Sequence, residues 1–397
     1  MMQQFSRRTD WKLDKTAYAR ALERLLAGGK PIFDLTASNP TTCGFDYDRA
    51  GILRELSRSE CLEYEPDPRG LAIARAAVLD YYAAAQATRI SSEQIFLTTS
   101  TSEAYSDLFR LHCDSGSEVM IAQPSYPLFD FLADMEDVRL VPYPLFYDHG
   151  WHIDIAALTE RITSRTRAIV VVHPNNPSGH FTSPAERNML ERVCEEHGLA
   201  LIVDEVFLDY GIGEMYSAET PSRVSFSTGE HPVLTYVLSG LSKVAGLPQM
   251  KAAWIAAFGP DALLEAATAR LEMIADTFLS MNAPIQHAMP YLLANRTSVQ
   301  QQIRLRVREN LEALDCQLAG APSVSRLRMD GGWYAILRVP ALMGGDELAI
   351  LLMERENVVV HPGHFYGFDG GGWIVLSLLP PRVEFAEGVS RLLASMA

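Results

Sequence analysis

Short apolar runs rich in β-branched residues alternate with amphipathic stretches through the first two thirds of the chain. Runs of about four to eight apolar residues are typical of buried strands, and apolar positions recurring at helical spacing are typical of helices. The alternation predicts βαβ units and hence an α/β fold with a parallel, doubly wound sheet. The predicted strands span residues 94–98, 118–122, 167–172, 199–203, 233–239 and 252–258, and the predicted helices span 15–27, 71–87, 102–112 and 184–197.

The pattern changes after Pro284. A long helical stretch is followed by a mixture of short strands and helices, which predicts an α+β unit. We therefore predict a large domain over residues 46–284, a small domain over 285–397, and an N-terminal segment, 1–45, that packs with the small domain. The elements predicted after the boundary are helices at 299–318, 346–355 and 383–395 and strands at 333–339, 358–360 and 373–378.

Composition narrows the class of protein without naming it. The 397 residues are 48% hydrophobic and 21% charged, which is ordinary for a globular protein, and the net charge of −15 argues against nucleic acid or an anionic membrane as a partner. The five cysteines form no C-x-x-C pair, so neither a zinc site nor a disulfide framework is indicated. The polar first 15 residues and the absence of a long apolar run predict a cytoplasmic protein.

Three polar residues follow apolar runs at the ends of predicted strands. Asn176 follows the run 167–172, Asp204 follows 199–203, and Lys243 closes the segment that begins with 233–239. Ligands of open α/β sheets bind outside the carboxyl ends of the strands, so an amide, a carboxylate and an amine are expected to converge there. Pyridoxal phosphate requires this trio: a lysine for a Schiff base, a carboxylate for the ring nitrogen and an amide for the ring oxygen.

Other polar positions extend the same hypothesis, and each has a simpler alternative. Ser100 and Glu103 have the spacing of a capping box, and the helix that they begin could also bind a phosphate. Tyr126 could stack on a cofactor ring or be a structural tyrosine. Lys251 could pair with a phosphate or lie on the surface, and Asp204 could form an ordinary salt bridge.

Taken together, these motifs resemble the class I/II aminotransferases, the fold-type I enzymes that use pyridoxal phosphate. The resemblance covers nearly the whole chain and depends on the order of the motifs, since none of them is specific alone. It implies a large domain with a mostly parallel, seven-stranded type of sheet, a small α+β domain, and a homodimer with shared active sites. The motifs are Tyr64, Gly70, residues 100–103, Tyr126, 176–179, 204–206 and 242–243.

The resemblance also implies a role for each matching residue. Lys243 would form the Schiff base and carry the proton between the two carbon atoms involved in transamination. Asp204 would keep the ring nitrogen protonated, Asn176 would bond the ring oxygen, and Tyr126 would stack on the ring. Tyr64 would reach the phosphate in the neighbouring subunit. The phosphate in its own subunit would be surrounded by Thr101, Ser102, Ser242 and Lys251.

Two positions depart from the family pattern in ways that affect chemistry. Phe207 stands where a tyrosine usually bonds the ring oxygen, so we expect a raised pKa of the Schiff base unless Tyr210 substitutes. Val375 stands where an arginine usually binds the substrate carboxylate. Either another cation binds that carboxylate or the substrate has none beside its amine. The candidate cations are Arg69, Arg382 and His364.

The sequence favours an aminotransferase that moves an amino group between an amino acid or amine and a 2-oxo acid. A lyase, decarboxylase or synthase on the same scaffold is the alternative, because such enzymes share Lys243 and Asp204. A ligand-sensing regulator of this fold is disfavoured, since only about one helix precedes Pro31 and the charge is acidic. A catalytically silent relative is disfavoured by the retention of Lys243, Asp204 and Asn176.

Overall fold

The structure, a computed structural model, describes residues 5–84, 90–127, 129–212, 224–279 and 281–396. Its strands are β1 (Phe33–Asp34), β2 (Ile95–Thr98), β3 (Glu118–Gln123), β4 (Arg139–Tyr147), β5 (Trp151–Ile153), β6 (Thr166–Val172), β7 (Ala200–Asp204), β8 (Thr235–Gly240), β9 (Ala253–Phe258), β10 (Ser325–Arg326), β11 (Tyr334–Arg338), β12 (Val358–Val359), β13 (His361–Pro362) and β14 (Trp373–Ser377).

The α-helices of the described residues alternate with these strands along much of the chain. They are α1 (Ala17–Ala27), α2 (Arg49–Leu56), α3 (Ala72–Ala84), α4 (Thr101–His112), α5 (Phe129–Met135), α6 (Ile155–Glu160), α7 (Pro184–His197), α8 (Leu241–Val244), α9 (Asp261–Phe278), α10 (Ala283–Ala294), α11 (Arg296–Leu318), α12 (Gly345–Glu356) and α13 (Arg382–Ala394). The last residues of the helix predicted at 71–87 lie outside the described ranges.

A large mixed sheet forms the centre of the molecule and confirms the predicted α/β fold. Its strand order is β2-β9-β8-β7-β6-β3-β4-β5, and the five strands from β8 to β4 are parallel to one another. The sheet is mostly parallel, as the resemblance implied, and has eight strands among the described residues; β9 runs antiparallel to both β8 and β2, and β5 runs antiparallel to β4. Only the one-turn helix α8 and a short loop lie between β8 and β9, and an antiparallel pair needs no long crossover.

The sheet is covered on both faces, which explains its continuous apolar strands. Every residue of β6 except one, and every residue of β7, β8 and β9, is buried. Two hydrophobic clusters lie on the opposite faces of these strands, because successive side chains alternate between the faces. Because these strands are buried along almost their whole length, polar residues that could contact a ligand lie at the carboxyl ends of β6, β7 and β8.

The C-terminal part forms a separate four-stranded sheet with the order β10-β11-β14-β13. The N-terminal segment packs here, since β1 pairs with β12 and the Tyr18 hydroxyl donates to the Val360 carbonyl at 3.0 Å. The predicted boundary at residue 284 falls in the first turn of α10, which packs against α2 and α3. The division into 1–45, 46–284 and 285–397 stays a prediction.

No helix of the described residues combines the length and the apolar character that crossing a bilayer requires.

Candidate active site

A cavity of about 520 Å³ opens at the carboxyl ends of β6, β7 and β8 and brings most of the predicted site together. Tyr64 lies elsewhere and is 77% exposed. The other predicted residues come from six separate segments of sequence, so the fold assembles them at one place. The cavity is lined by Thr101, Ser102, Tyr126, Asn176, Asp204, Ser242, Lys243 and Lys251.

Lys243 extends from α8, directly after the end of β8. Gly240 at that end lies against β9, where an added Cβ would meet the Ala252 carbonyl oxygen and the Ala253 Cβ at 2.9 Å, so a larger residue would displace the turn. The Lys243 Nζ atom lies 4.8 Å from the centre of the Trp333 ring. Burial lowers the pKa of Lys243 to about 8, against the opposing charge of Asp204. A neutral, nucleophilic amine is therefore accessible near neutral pH.

Asp204 ends β7 inside the same cavity. Its carboxylate accepts hydrogen bonds from the Tyr105 hydroxyl at 3.1 Å and from the Val206 backbone amide at 3.0 Å. Burial raises the pKa of Asp204 to about 6, although both hydrogen bonds and Lys243 oppose the shift. No salt bridge joins it to a cation within the part of the chain that the structure describes. A protonated ring nitrogen would supply the charge that this buried carboxylate requires.

Asn176 has an amide oxygen that is buried without a hydrogen-bond partner among the described residues. The neighbouring Asn175 holds the turn instead, because its side-chain oxygen accepts from the Ser178 hydroxyl at 2.7 Å. Gly179 completes the turn at φ +71°, and an added Cβ would lie 2.5 Å from the Gly331 carbonyl oxygen. Buried polar atoms in folded proteins nearly always have partners, so Asn176 is fitted to a ligand.

The N-terminus of α4 forms one end of the cavity. Ser100 caps this helix, since its hydroxyl accepts from the Glu103 amide at 3.1 Å. The predicted capping box is wrong in one respect: the Glu103 carboxylate accepts from the Thr99 amide rather than from the Ser100 amide. Thr101 and Ser102 lie in the first turn of α4, where backbone amides have no partner within the helix, and Ser242 and Lys251 line the same cavity. Such an arrangement binds phosphate.

The cavity lining also contains residues that the sequence motifs did not indicate. Tyr334 comes from β11, His361 from β13, and Tyr366 from the turn that follows β13. They lie far from the strand-end motifs in the sequence, and the local pattern around each is that of a core aromatic residue. The prediction of a small C-terminal sheet was the only signal that pointed to this region. Ser38 and Phe365 also line the cavity.

A family model described as aminotransferase class I and II matches residues 49–392. The chain belongs to the aminotransferase class I and II family. This confirms the predicted family and the transaminase activity, and members of this family depend on pyridoxal phosphate.

Curated and solved members of the family cover nearly all of this aminotransferase. It is 26% identical over 379 residues to the alanine aminotransferase of Mycobacterium tuberculosis H37Rv, covering 93% of this chain and 86% of the relative. It is 25% identical over 379 residues to the glutamate-pyruvate aminotransferase AlaA of Escherichia coli K12, covering 92% and 90%. The structure of alanine aminotransferase from Pyrococcus furiosus has a TM-score of 0.87 at 22% identity, covering 99% of each chain.

None of the cations proposed to replace the family arginine lines the cavity of this aminotransferase. Arg69 is bonded to Glu272 at 2.6 Å and to Glu93 at 2.9 Å. His364 faces Asp346 at 3.6 Å, on the outside. The third candidate, Arg382, has a side chain that is 66% exposed and lies 3.7 Å from Glu309.

Phe207 and Tyr210 have separate structural roles in this aminotransferase. Phe207 lines the cavity edge-on to Trp333 and offers no hydroxyl. Tyr210 does not line the cavity, and its hydroxyl donates to the Lys243 carbonyl at 2.6 Å, so the idea that it substitutes for the missing tyrosine is wrong. The raised pKa of the Schiff base stays a prediction, and a downward shift in the absorbance titration of Phe207→Tyr would support it.

The donor set of this aminotransferase fits pyridoxal phosphate on its own chemistry. The cavity combines a buried carboxylate that forms no salt bridge among the described residues, a buried amide oxygen without a described partner, a lysine amine of lowered pKa and a helix N-terminus with hydroxyl side chains. Each of these groups complements a different part of the cofactor. No cluster of residues able to hold a metal ion occurs in the described part of the chain.

Proposed function

We propose that this aminotransferase holds pyridoxal phosphate in the cavity through Lys243 and transfers amino groups between an α-amino acid and a 2-oxo acid. The convergence of Lys243 and Asp204 in one cavity carries the proposal, because an amine and a buried carboxylate are the two groups that the cofactor chemistry requires. Asn176 would bond the ring oxygen, and Tyr126 would lie against the ring. The phosphate would be held by Thr101, Ser102, Ser242 and Lys251.

The cofactor and the protein side chains contribute different parts of the proposed reaction. When bound, pyridoxal phosphate supplies an aldehyde that joins to amines and a ring that accepts an electron pair from the adjacent carbon. Asp204 would keep a proton on the ring nitrogen, because a protonated nitrogen would stabilise its buried negative charge. Lys243 would act through Nζ as the base that removes the proton from the amine-bearing carbon of the substrate.

The walls of the cavity support an organic substrate of modest size. Tyr334, Phe365 and Tyr366 contribute aromatic rings to the cavity wall, and the centre of the Trp333 ring lies 4.8 Å from Lys243 Nζ. Aromatic walls exclude water and orient an apolar side chain. The curated relatives named alanine aminotransferase and glutamate-pyruvate aminotransferase make L-alanine and L-glutamate the first donors to test.

Single half-reactions test this proposal directly. Protein loaded with pyridoxal phosphate is mixed with L-alanine or L-glutamate without an acceptor. We expect loss of absorbance near ~420 nm, a gain near ~330 nm and one equivalent of oxo acid, since the amino group stays on the cofactor. Addition of pyruvate should reverse the spectrum. The absence of any stable spectral change with a broad panel of amines would contradict the proposal.

A lyase, decarboxylase or synthase on this scaffold is the alternative, because Lys243 and Asp204 would serve those reactions as well. The same experiment separates the classes. A transaminase accumulates pyridoxamine phosphate in the absence of an acceptor, whereas a lyase releases product and regenerates the original absorbance. Chromatography of the released cofactor after one turnover measures the difference.

We further propose a homodimer in which Tyr64 of one subunit completes the phosphate site of the other. Two observations support it: Tyr64 is 77% exposed and lies outside the cavity of its own chain. Sedimentation velocity should give a dimer of about twice the 44.0 kDa chain mass. A monomer that retains full transaminase activity would contradict shared active sites.

The cytoplasm is the proposed place of action. All five cysteines are free thiols, which fits a reducing compartment, and the chain is acidic. Recovery of the native protein in a membrane-free cytosolic fraction would support this location.

A further inference from the structure

His361 stands beside the position from which the family arginine is missing. In the small sheet, β13 runs antiparallel to β14 with His361 directly opposite Val375. Side chains at directly opposed positions of an antiparallel pair point to the same face. Val375 is fully buried, whereas His361 is partly exposed and lines the cavity. The face that would have carried the arginine therefore carries a histidine on the neighbouring strand.

The cavity has few groups that can bear positive charge. Among its described lining residues these are Lys243, Lys251 and His361. The proposed function assigns Lys243 to the cofactor aldehyde and Lys251 to its phosphate. His361 lies beside Tyr366, whose hydroxyl is 3.1 Å from the Nδ1 atom of His361, and neither residue is assigned to the cofactor. It is consequently the one basic group of this described lining that is left for the substrate.

The hydrogen bonds of His361 leave one ring nitrogen available. Its Nδ1 atom lies 3.1 Å from the Tyr366 hydroxyl, and Nε2 makes no hydrogen bond to a described residue. A neutral ring can accept the Tyr366 proton at Nδ1, and a protonated ring can donate to the same oxygen, because a hydroxyl both donates and accepts. The backbone carbonyl of Tyr366 is fixed by the Ser125 amide at 3.0 Å, next to Tyr126. Tyr366 can therefore support either charge state.

We propose that His361 binds the carboxylate of the substrate through Nε2, as an imidazolium, in place of the family arginine. This inference rests on the proposed function, since it takes an amino acid and a 2-oxo acid as substrates. Protonated Nδ1 then donates to Tyr366 while Nε2 donates to the carboxylate. Unlike an arginine, which is always charged, His361 takes up a proton when an anionic substrate binds.

The surroundings of His361 determine the pH range of the effect. Burial lowers its pKa below the ordinary value of 6.5, and the charge of Asp34 opposes that shift. A bound carboxylate raises the pKa again. Other titratable groups near it are Tyr366 and His364 of the following turn, Tyr334 of β11, Tyr18 of α1, Asp346 of α12, and Tyr105, Tyr126, Asp204, Lys243 and Lys251 of the cavity wall.

The sign of the pH dependence follows from these two pKa values. Below the pKa of His361 in the free enzyme, the ring is already charged and carboxylate affinity is constant. Above it, each binding event requires a proton, so the dissociation constant rises up to tenfold per pH unit until the pKa of the complex is passed. A neutral ligand of the same shape should show no such slope.

Propanoate and propanamide form a matched pair of probes, because they have the same shape and only propanoate is charged. The inhibition constants of both are measured against L-alanine from pH 5.5 to pH 8.5 in wild type, in His361→Gln and in His364→Gln. At pH 6 we expect His361→Gln to weaken propanoate by about ten- to a hundredfold, the range of a charge-assisted hydrogen bond. Propanamide should change less than about twofold.

The controls separate this inference from a folding defect and from the proposed function. His364→Gln alters an exposed histidine three residues away and should behave as wild type. The imidazole NMR signals of His361 are identified as those that are absent from His361→Gln. In wild type, binding of propanoate should shift these signals toward the position of a protonated ring, and this measurement does not require the variant to be active. If no amino acid supports the half-reaction, the proposed function is overturned. If half-reactions are normal and His361→Gln binds propanoate as tightly as wild type does, only this inference is overturned.

Discussion

Lys243→Ala is expected to lower kcat for transamination by more than about 10⁴-fold, because it removes both the amine that joins to the cofactor and the base that moves the substrate proton. The cavity should remain intact. Asp204 and Asn176 come from other strands, and the Lys243 side chain is not needed to hold them. The variant should therefore still bind the cofactor, but dialysis should remove it. Stopped-flow absorbance and the cofactor content after dialysis measure the two effects.

Lys251→Ala is the matched control for that experiment. Lys251 lines the same cavity, as do the first residues of α4, and is proposed to bind the phosphate. Its loss should weaken cofactor binding and leave the covalent attachment and the proton transfer in place once the cofactor is saturating. Equal loss of kcat in the two variants, with cofactor saturating, would contradict the role given to Lys243.

The convergence of the residues proposed to hold the cofactor was predictable, because their positions depend on a single structural rule. Asn176, Asp204 and Lys243 each follow a buried strand, and parallel strands end at one edge of a sheet. The runs before them are so apolar that the first polar residue is conspicuous. The spacing of strands and helices then locates all three residues without knowledge of any side-chain contact. The pairing of β6, β7 and β8 is the only tertiary information required.

The part of the cavity proposed to bind the substrate was not predictable, because contacts between distant parts of the chain assemble it. Only the register of β13 on β14 shows that His361 lies opposite Val375. Ser38 reaches the cavity from the N-terminal segment. Tyr105 is similar: its hydroxyl reaches Asp204, but on α4 it appears as one more apolar position of an amphipathic helix. No local pattern distinguishes such residues from core aromatics.

Proline obscures one strand that was not predicted. Pro142 and Pro144 interrupt the apolar pattern of β4, although a strand near the sheet edge tolerates them. Pro284, which marks the predicted end of the large domain, lies in the first turn of α10, where proline is favoured because no backbone amide is needed; the boundary itself stays a prediction. The helix α9 was also not predicted. Its exposed Leu263, Met273 and Phe278 blur the amphipathic pattern.

Asp204→Asn is expected to lower kcat by about 10²- to 10³-fold with a smaller change in the KM for the amino donor. The amide retains the shape of the carboxylate: its oxygen can still accept from the Val206 amide, while its NH2 group can donate to the Tyr105 hydroxyl oxygen. It carries no charge, however, so a proton on the ring nitrogen loses the partner that stabilises it in a buried site. The bound cofactor then accepts electrons less readily, which slows proton removal by Lys243.

Glu205→Gln provides the comparison that isolates the charge at residue 204. Glu205 is also buried, and burial raises its pKa to about 7, but it lies outside the cavity and bonds the Ser225 hydroxyl and the Phe226 amide, both at 2.6 Å. Its replacement should lower the free energy of unfolding and leave kcat within about threefold, since it does not contact the cofactor site. Denaturant unfolding and single-turnover rates measured on both variants should therefore move independently. If Asp204→Asn loses stability to the same extent as Glu205→Gln but keeps the wild-type rate, Asp204 has a structural role and the ring nitrogen has another partner.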